Sequence, residues 1–210
     1  MNKTINLLIL SDIFVVTGFG LMSPILAIFI KDNIIGGTIL SAGIASTIFL
    51  ITKSLVQLPF SRYADSHDSR KFWMIVGTLL FTLVPFIYIF SKNIYWIYAA
   101  GIINGIGSGL MYPTWIGMFS THLDKKHEGF EWSIYSTAVG LGTALAAVVG
   151  AAIAQTVGFQ MTFLLVGIMS LIGCAILLGL DNDRSKNSAV KSARYNKIKV
   201  LHRNTAKTKL

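Results

Sequence analysis

Residues 18–24 read GFGLMSP, and residues 107–113 read GSGLMYP. Two Gly, a Leu, a Met and a Pro recur at the same internal spacing, 89 residues apart. What surrounds the two copies gives them meaning. The 210-residue chain is 53% hydrophobic and 13% charged, whereas an ordinary soluble domain is about a quarter charged. Its apolar residues fall in long blocks, the pattern of a chain whose solvent is lipid. Six blocks approach the roughly 20 residues needed to span a bilayer core: 5–30, 34–60, 72–91, 94–120, 132–155 and 160–180. Backbone polar groups in lipid must be satisfied inside the segment, so each block reads as a helix; a membrane β-barrel would show short alternating strands instead. The first block is too long for a cleaved signal and has no small-residue cleavage site, so it is expected to be a retained span.

The two copies then lie in spans one and four. An odd number of spans separates their starts, so they cross the membrane in opposite directions. That predicts an all-α membrane protein of six helices, arranged as two inverted three-helix repeats. Gly18, Gly20, Gly107 and Gly109 allow close helix approach or bending, and Pro24 and Pro113 each remove a backbone hydrogen bond. All six are expected as matched helix kinks near a midplane binding site. Met22, Tyr112 and Trp115, beside these segments, are expected to line a cavity, with helix packing the other role open to them.

Charge orients the spans. Lys3, Arg62, Arg70, Lys71, Lys125 and Lys126 fall on one side, and only Lys31 and Lys92 on the other. The positive-inside rule puts both termini in the cytoplasm of an inner or plasma membrane, with aromatic anchors such as Trp73, Tyr95, Trp96 and Trp132 near span ends. Of the formal charge of +9, residues 181–210 carry +7 and the rest +2. The chain thus divides into a transmembrane domain, 1–180, and a basic tail, 181–210, expected to be disordered or to lie on anionic lipid. No folded basic module supports nucleic-acid binding. The single cysteine, Cys174, lies in an apolar run, and the four histidines sit in connections or the tail with no metal-ligand spacing. No catalytic set, cofactor motif or Gly-rich nucleotide loop is recognisable, so no enzymatic activity is expected, and any energy coupling would come from an ion gradient.

Two ionisable residues interrupt the apolar runs, Asp12 and Lys53. Such residues are costly in lipid and usually face the bundle interior or a wet cavity. Counting about 1.5 Å per residue puts both roughly 10–12 Å below the same surface. Asp12 is expected to face a central cavity, either paired with Lys53 or holding a cation or proton. The alternative is that Lys53 snorkels to the headgroups and Asp12 is neutral or wetted near the interface.

Several stretches resemble the major facilitator superfamily, whose members have twelve spans in two six-span halves, each half a pair of inverted repeats. The resemblance covers about residues 5–180 and corresponds to the N-terminal half. Its strongest part is QLPFSRYADSHDSRK, residues 57–71. Here Ala64 and Asp65 match the family's G-x-L-A-D-R-x-G-R-K loop, Ser61 stands at its first Gly, and Arg70-Lys71 resemble its Arg-Lys pair. The resemblance implies a cytoplasmic latch made by Ser61, Asp65, Arg70 and Lys71. Ser66 replaces the usual Arg, the second Gly is missing, and one extra residue separates Asp65 from Arg70.

Asn104, Gly105 and Gly107 resemble the family's R-x-x-Q-G-x-G in span four, but Gly101 stands at the Arg associated with proton coupling in drug exporters. Gly142, Ala146, Gly150 and Ala154 form a small-residue packing stripe in span five. GFQMTFLL, residues 158–165, resembles the start of the family's span six, with Gln160 at its Arg. The implied function is secondary active transport of a small solute, with drug or metabolite efflux as its form. The partners would be membrane lipid, the solute, and a second six-span half or a second copy of the chain. A non-transporting membrane scaffold or regulatory subunit is the alternative function.

Overall fold

The computed structural model describes residues 3–66, 69–124 and 126–180, the side chains of residues 65 and 66 excepted. The basic tail and Lys125 lie outside the described residues. Within them the chain is helical throughout: α1 (Lys3–Met22), α2 (Leu26–Asn33), α3 (Ile39–Ser66), α4 (Arg70–Phe90), α5 (Ile94–His122), α6 (Glu128–Thr156) and α7 (Phe159–Leu178). Every helix except α2 is long and apolar enough to cross a bilayer. The first expected span is therefore two helices, α1 and α2, and the second starts at Ile39 instead of residue 34. Gly36 supplies a positive φ of 79° in the connection. Thr38 and Ser41 then cap α3 reciprocally: Ser41 N–H donates to Thr38 Oγ1 at 3.0 Å, and Thr38 N–H to Ser41 Oγ at 2.6 Å.

The 89-residue spacing extends well beyond the quoted motif. The starts of α3 and α6, Ile39 and Glu128, are 89 residues apart, as are those of α4 and α7, Arg70 and Phe159. The packing obeys the same rule. α3 packs on α5 as α6 packs on α1; α4 packs on α5 as α7 packs on α1; and α4 meets α7. The two buried clusters also correspond. Leu8, Met74, Met118 and Leu177 belong to one; Ile97, Phe163, Phe29 and Tyr88, each 89 residues away, belong to the other. Two three-helix units thus build two similar cores at opposite ends of the bundle.

The ends are fixed by contacts between connections. Lys71 Nζ, at the start of α4, donates to the carbonyls of Leu178 and Leu180 at the end of α7. The end of α7 therefore shares a face with the α3–α4 connection. On the other face, Ile35 N–H donates to Lys92 O at 3.0 Å and Ile94 N–H to Ile35 O at 3.1 Å.

The repeated glycines are close-approach points. A Cβ on Gly18 would lie 3.2 Å from Met169 Cβ and 3.6 Å from Val166 O on α7. A Cβ on Gly107 would lie 3.1 Å from Leu80 Cβ and 2.8 Å from Gly77 O on α4. Those partners are themselves 89 residues apart. The second glycine of each copy turns to the other neighbour, Gly20 to Thr143 on α6 and Gly109 to Val56 and Lys53 on α3. Lipid tails are as apolar as side chains, so helices in a bilayer associate through such close van der Waals packing.

The prolines behave differently in the two copies. The chain leaves helical geometry at residues 23–25, around Pro24, whereas α5 runs through Pro113 uninterrupted. The following residue differs. Thr114 Oγ1 donates to Leu110 O at 2.9 Å and Met111 O at 2.7 Å, binding the turn that Pro113 weakens. Ile25 occupies the equivalent place after Pro24 and has no hydroxyl to do so.

Candidate functional site

Among the described residues, the buried polar residues of the bundle are Ser and Thr on several helices and two carboxylates, Asp12 on α1 and Glu131 on α6. On α1, Asp12 is only 6% exposed, and a buried carboxylate requires a partner. Tyr135 on α6 provides it, its hydroxyl donating to Asp12 Oδ2 at 2.6 Å. Aromatic rings back this pair. Trp115 lies 4.6 Å from the Tyr135 ring, centre to centre, and stacks on Phe119 at 4.7 Å with 12° between planes. Trp132 sets its edge against Phe119 at 4.8 Å. Trp115 Nε1 reaches Leu8 O at 3.5 Å, tying α5 to α1. One turn before Tyr135, Glu131 is also buried and accepts from Asp124 N–H at 3.1 Å, which fixes the start of α6.

Lys53 and Asp12 are not brought together. Lys53 Nζ stands 4.7 Å from the centre of the Tyr112 ring on α5, a cation–π contact. The expected ion pair is corrected by helix placement. α1 is flanked by α6 and α7, while α3 lies against α5 and α2, so the spans carrying Asp12 and Lys53 do not pack side by side. Each charge finds a tyrosine on its real neighbour instead.

The remaining expected residues fall as follows. Met22 and Trp115 are buried in the two apolar clusters, and Tyr112 is exposed. Gly18, Gly20, Gly107 and Gly109 are helix contacts, Pro24 is exposed beside the α1–α2 break, and Pro113 is inside α5. Of the latch residues, Ser61 Oγ bonds only within its own helix, to Leu58 O at 2.9 Å. The Asp65 side chain lies outside the described residues. Arg70 Nε and Nη1 donate to Ala64 O and Gly117 O, each at 3.4 Å, and Lys71 donates to the end of α7. Arg70 and Lys71 therefore join the ends of α3 and α7 and the body of α5, with positive charge where helix C-termini are negative.

Nothing in the sequence marks Tyr135, Phe119 or Glu131, and Trp132, expected as an interfacial anchor, packs instead against Phe119 and Trp115. EWSIY, residues 131–135, looks like an ordinary interfacial aromatic segment. Only the packing of α6 on α1 shows that it faces Asp12.

The family model described as Major Facilitator Superfamily matches residues 8–207. The multi-drug resistance efflux pump PmrA homolog of Lactococcus lactis subsp. lactis is 29% identical over 167 residues, 79% of this chain and 40% of that protein. The quinolone resistance protein NorA of Staphylococcus aureus is 22% identical over 188 residues, 90% of this chain and 47% of that one. This chain spans less than half the length of these relatives. Among solved structures, the POT family transporter PepTSo superposes with a TM-score of 0.74 at 14% identity, over 85% of this chain and 37% of that chain. That likeness concerns the fold.

Proposed function

This chain belongs to the major facilitator superfamily, and from that premise we propose that it forms the membrane-spanning unit of a secondary carrier that expels small, largely apolar compounds. The observation that carries the reading is the buried Asp12, held by the Tyr135 hydroxyl, with the Tyr135 ring against Trp115 and Trp115 against Trp132. A carboxylate buried within a membrane span is expensive and often marks a cation or proton pathway. The aromatic wall suits flat apolar solutes, and the efflux and quinolone-resistance functions named for two relatives point to the same class. Asp12 would take the cation or proton, Tyr135 would orient its carboxylate, and Met22, Tyr112, Trp115 and Lys53 would border the path. Arg70 and Lys71, with Asp65 and Ser61, would control opening at the face where α1 starts and α7 ends, and the excess of basic residues in its connections supports reading that face as the cytoplasmic one of an inner or plasma membrane.

A carrier of this kind rocks one six-span unit against another, so these six spans would work against a second six-span unit. The test is accumulation of a fluoroquinolone in drug-sensitive bacteria expressing the full chain, alone and beside a candidate second half. Lower accumulation than in vector controls, restored by Asp12→Asn, is expected. Control-level accumulation in both settings, with the chain present in the membrane, overturns the reading.

A further inference from the structure

The 89-residue register exposes a difference between the two ends of the bundle that bears on ligand binding. Around Asp12, space is filled by Trp115, Phe119, Tyr135 and the carboxylate itself. Eighty-nine residues away, the corresponding positions are Leu26, Ile30, Ser46 and Gly101. All four are smaller, and all four line a cavity of about 160 Å³ between α2, α3, α4 and α5. The cavity is what remains when one backbone arrangement carries truncated side chains.

Two further substitutions give this space a polar wall. Leu177 and Val15 of the filled end correspond to Tyr88 and Asn104 of the open one. Tyr88 is 4% exposed, lines the cavity, and its hydroxyl has no hydrogen-bond partner among the described residues. Asn104 also lines the cavity and accepts from Ser108 Oγ at 3.5 Å through Oδ1, a contact that does not use its amide N–H groups. The Tyr88 hydroxyl is not fully enclosed and opens into the cavity, where a bound polar atom can reach it. No Asp, Glu, Lys, Arg or His lines the cavity.

We propose that this cavity, in the half of the bundle away from the Asp12 cluster, binds a neutral single-ring aromatic molecule carrying a hydroxyl. Size, charge and polarity each select that class. Roughly 150 Å³ of apolar cavity accommodates benzene. The equivalent space at the other end is occupied by the rings of Trp115, Phe119 and Tyr135. The unpaired Tyr88 hydroxyl and the Asn104 amide provide donors for one oxygen. The site stands apart from the Asp12 cluster and does not depend on its role in transport.

The full chain in lipid nanodiscs can be titrated with 4-fluorophenol and with fluorobenzene, read by fluorine NMR against empty nanodiscs. Saturable binding of 4-fluorophenol is expected. Ser46→Tyr and Leu26→Trp, which install the side chains of the filled end, should each weaken it at least tenfold. Tyr88→Phe should weaken 4-fluorophenol about tenfold and leave fluorobenzene unchanged. Uptake that does not saturate, undiminished binding in the filling variants, or equal loss of both probes in Tyr88→Phe overturns the proposal.

Discussion

At the scale of single residues, the same motif carries unequal tolerance in its two copies. An added methyl at Gly107 meets backbone on two sides, 2.8 Å from Gly77 O and 2.9 Å from Phe81 N, which cannot retreat. At Gly18 the nearest atom is a side-chain Cβ at 3.2 Å. Gly107→Ala is expected to cost about 1–3 kcal/mol, the range of overpacking in tight cores, and Gly18→Ala much less. Thermal melting of both variants in one detergent checks the order. Asp12 and Lys53 give a second residue-scale test. Since Asp12 bonds Tyr135 and Lys53 sits on Tyr112, exchanging the charges as Asp12→Lys with Lys53→Asp should rescue nothing that either single change loses. Rescue in a stability or transport assay would restore the ion pair that the packing denies. Tyr135→Phe strips the carboxylate of its donor and should destabilise by about 1.5–3 kcal/mol, the worth of a hydrogen bond to a charged group. In an Asp12→Asn background the penalty should shrink, which a double-mutant cycle measures directly.

At the scale of helices, two Pro-containing segments of matching sequence end differently, and a hydroxyl just after the proline is one difference between them. Pro113 leaves α5 short of one backbone bond, and Thr114 closes the turn through Leu110 O and Met111 O. Thr114→Val keeps the shape but loses both bonds, so hydrogen exchange should rise selectively in residues 109–114. Protection unchanged from the parent would show that packing alone holds that turn. The α1–α2 break matters for the same reason. It lets α2 lean on α3 while α1 stays with α6 and α7. The cavity beneath Tyr88 is bounded by that displaced α2.

At the scale of the whole molecule, the two units are fastened at the face carrying the end of α7. Lys71 neutralises the last carbonyls of α7, and Arg70 bridges α3 and α5. Lys71→Met should therefore loosen the end of α7 without disturbing α5, visible as faster proteolysis near residue 180 while the remaining helices stay protected. α3 and α6, equivalent in the repeat, are the least buried of the long helices and show rows of apolar side chains such as Leu50, Leu55, Leu141 and Leu145. Neither packs on the other. The surface they leave uncovered is apolar, as a face turned to lipid or to other helices is.

The amino-acid sequence by itself determined the solvent, the number of spans and the inverted pairing, because each is written in local pattern. Apolar blocks of fixed length need lipid and a helix, and a motif recurring after an odd number of spans can only run the opposite way. It also marked Asp12 and Lys53 as costly, since burial of charge follows from position within a block. It did not assign their partners. Depth along a helix can be counted from residues, but azimuth and neighbour are set by which helices pack together. The chain places α6, not α3, beside Asp12, because the small residues of both units steer α1 toward α6 and α7. The unequal ends of the bundle were likewise decided in tertiary structure. Ser46 and Tyr135, or Gly101 and Asp12, are 89 residues apart in any reading, yet only their packing turns that difference in volume into a cavity.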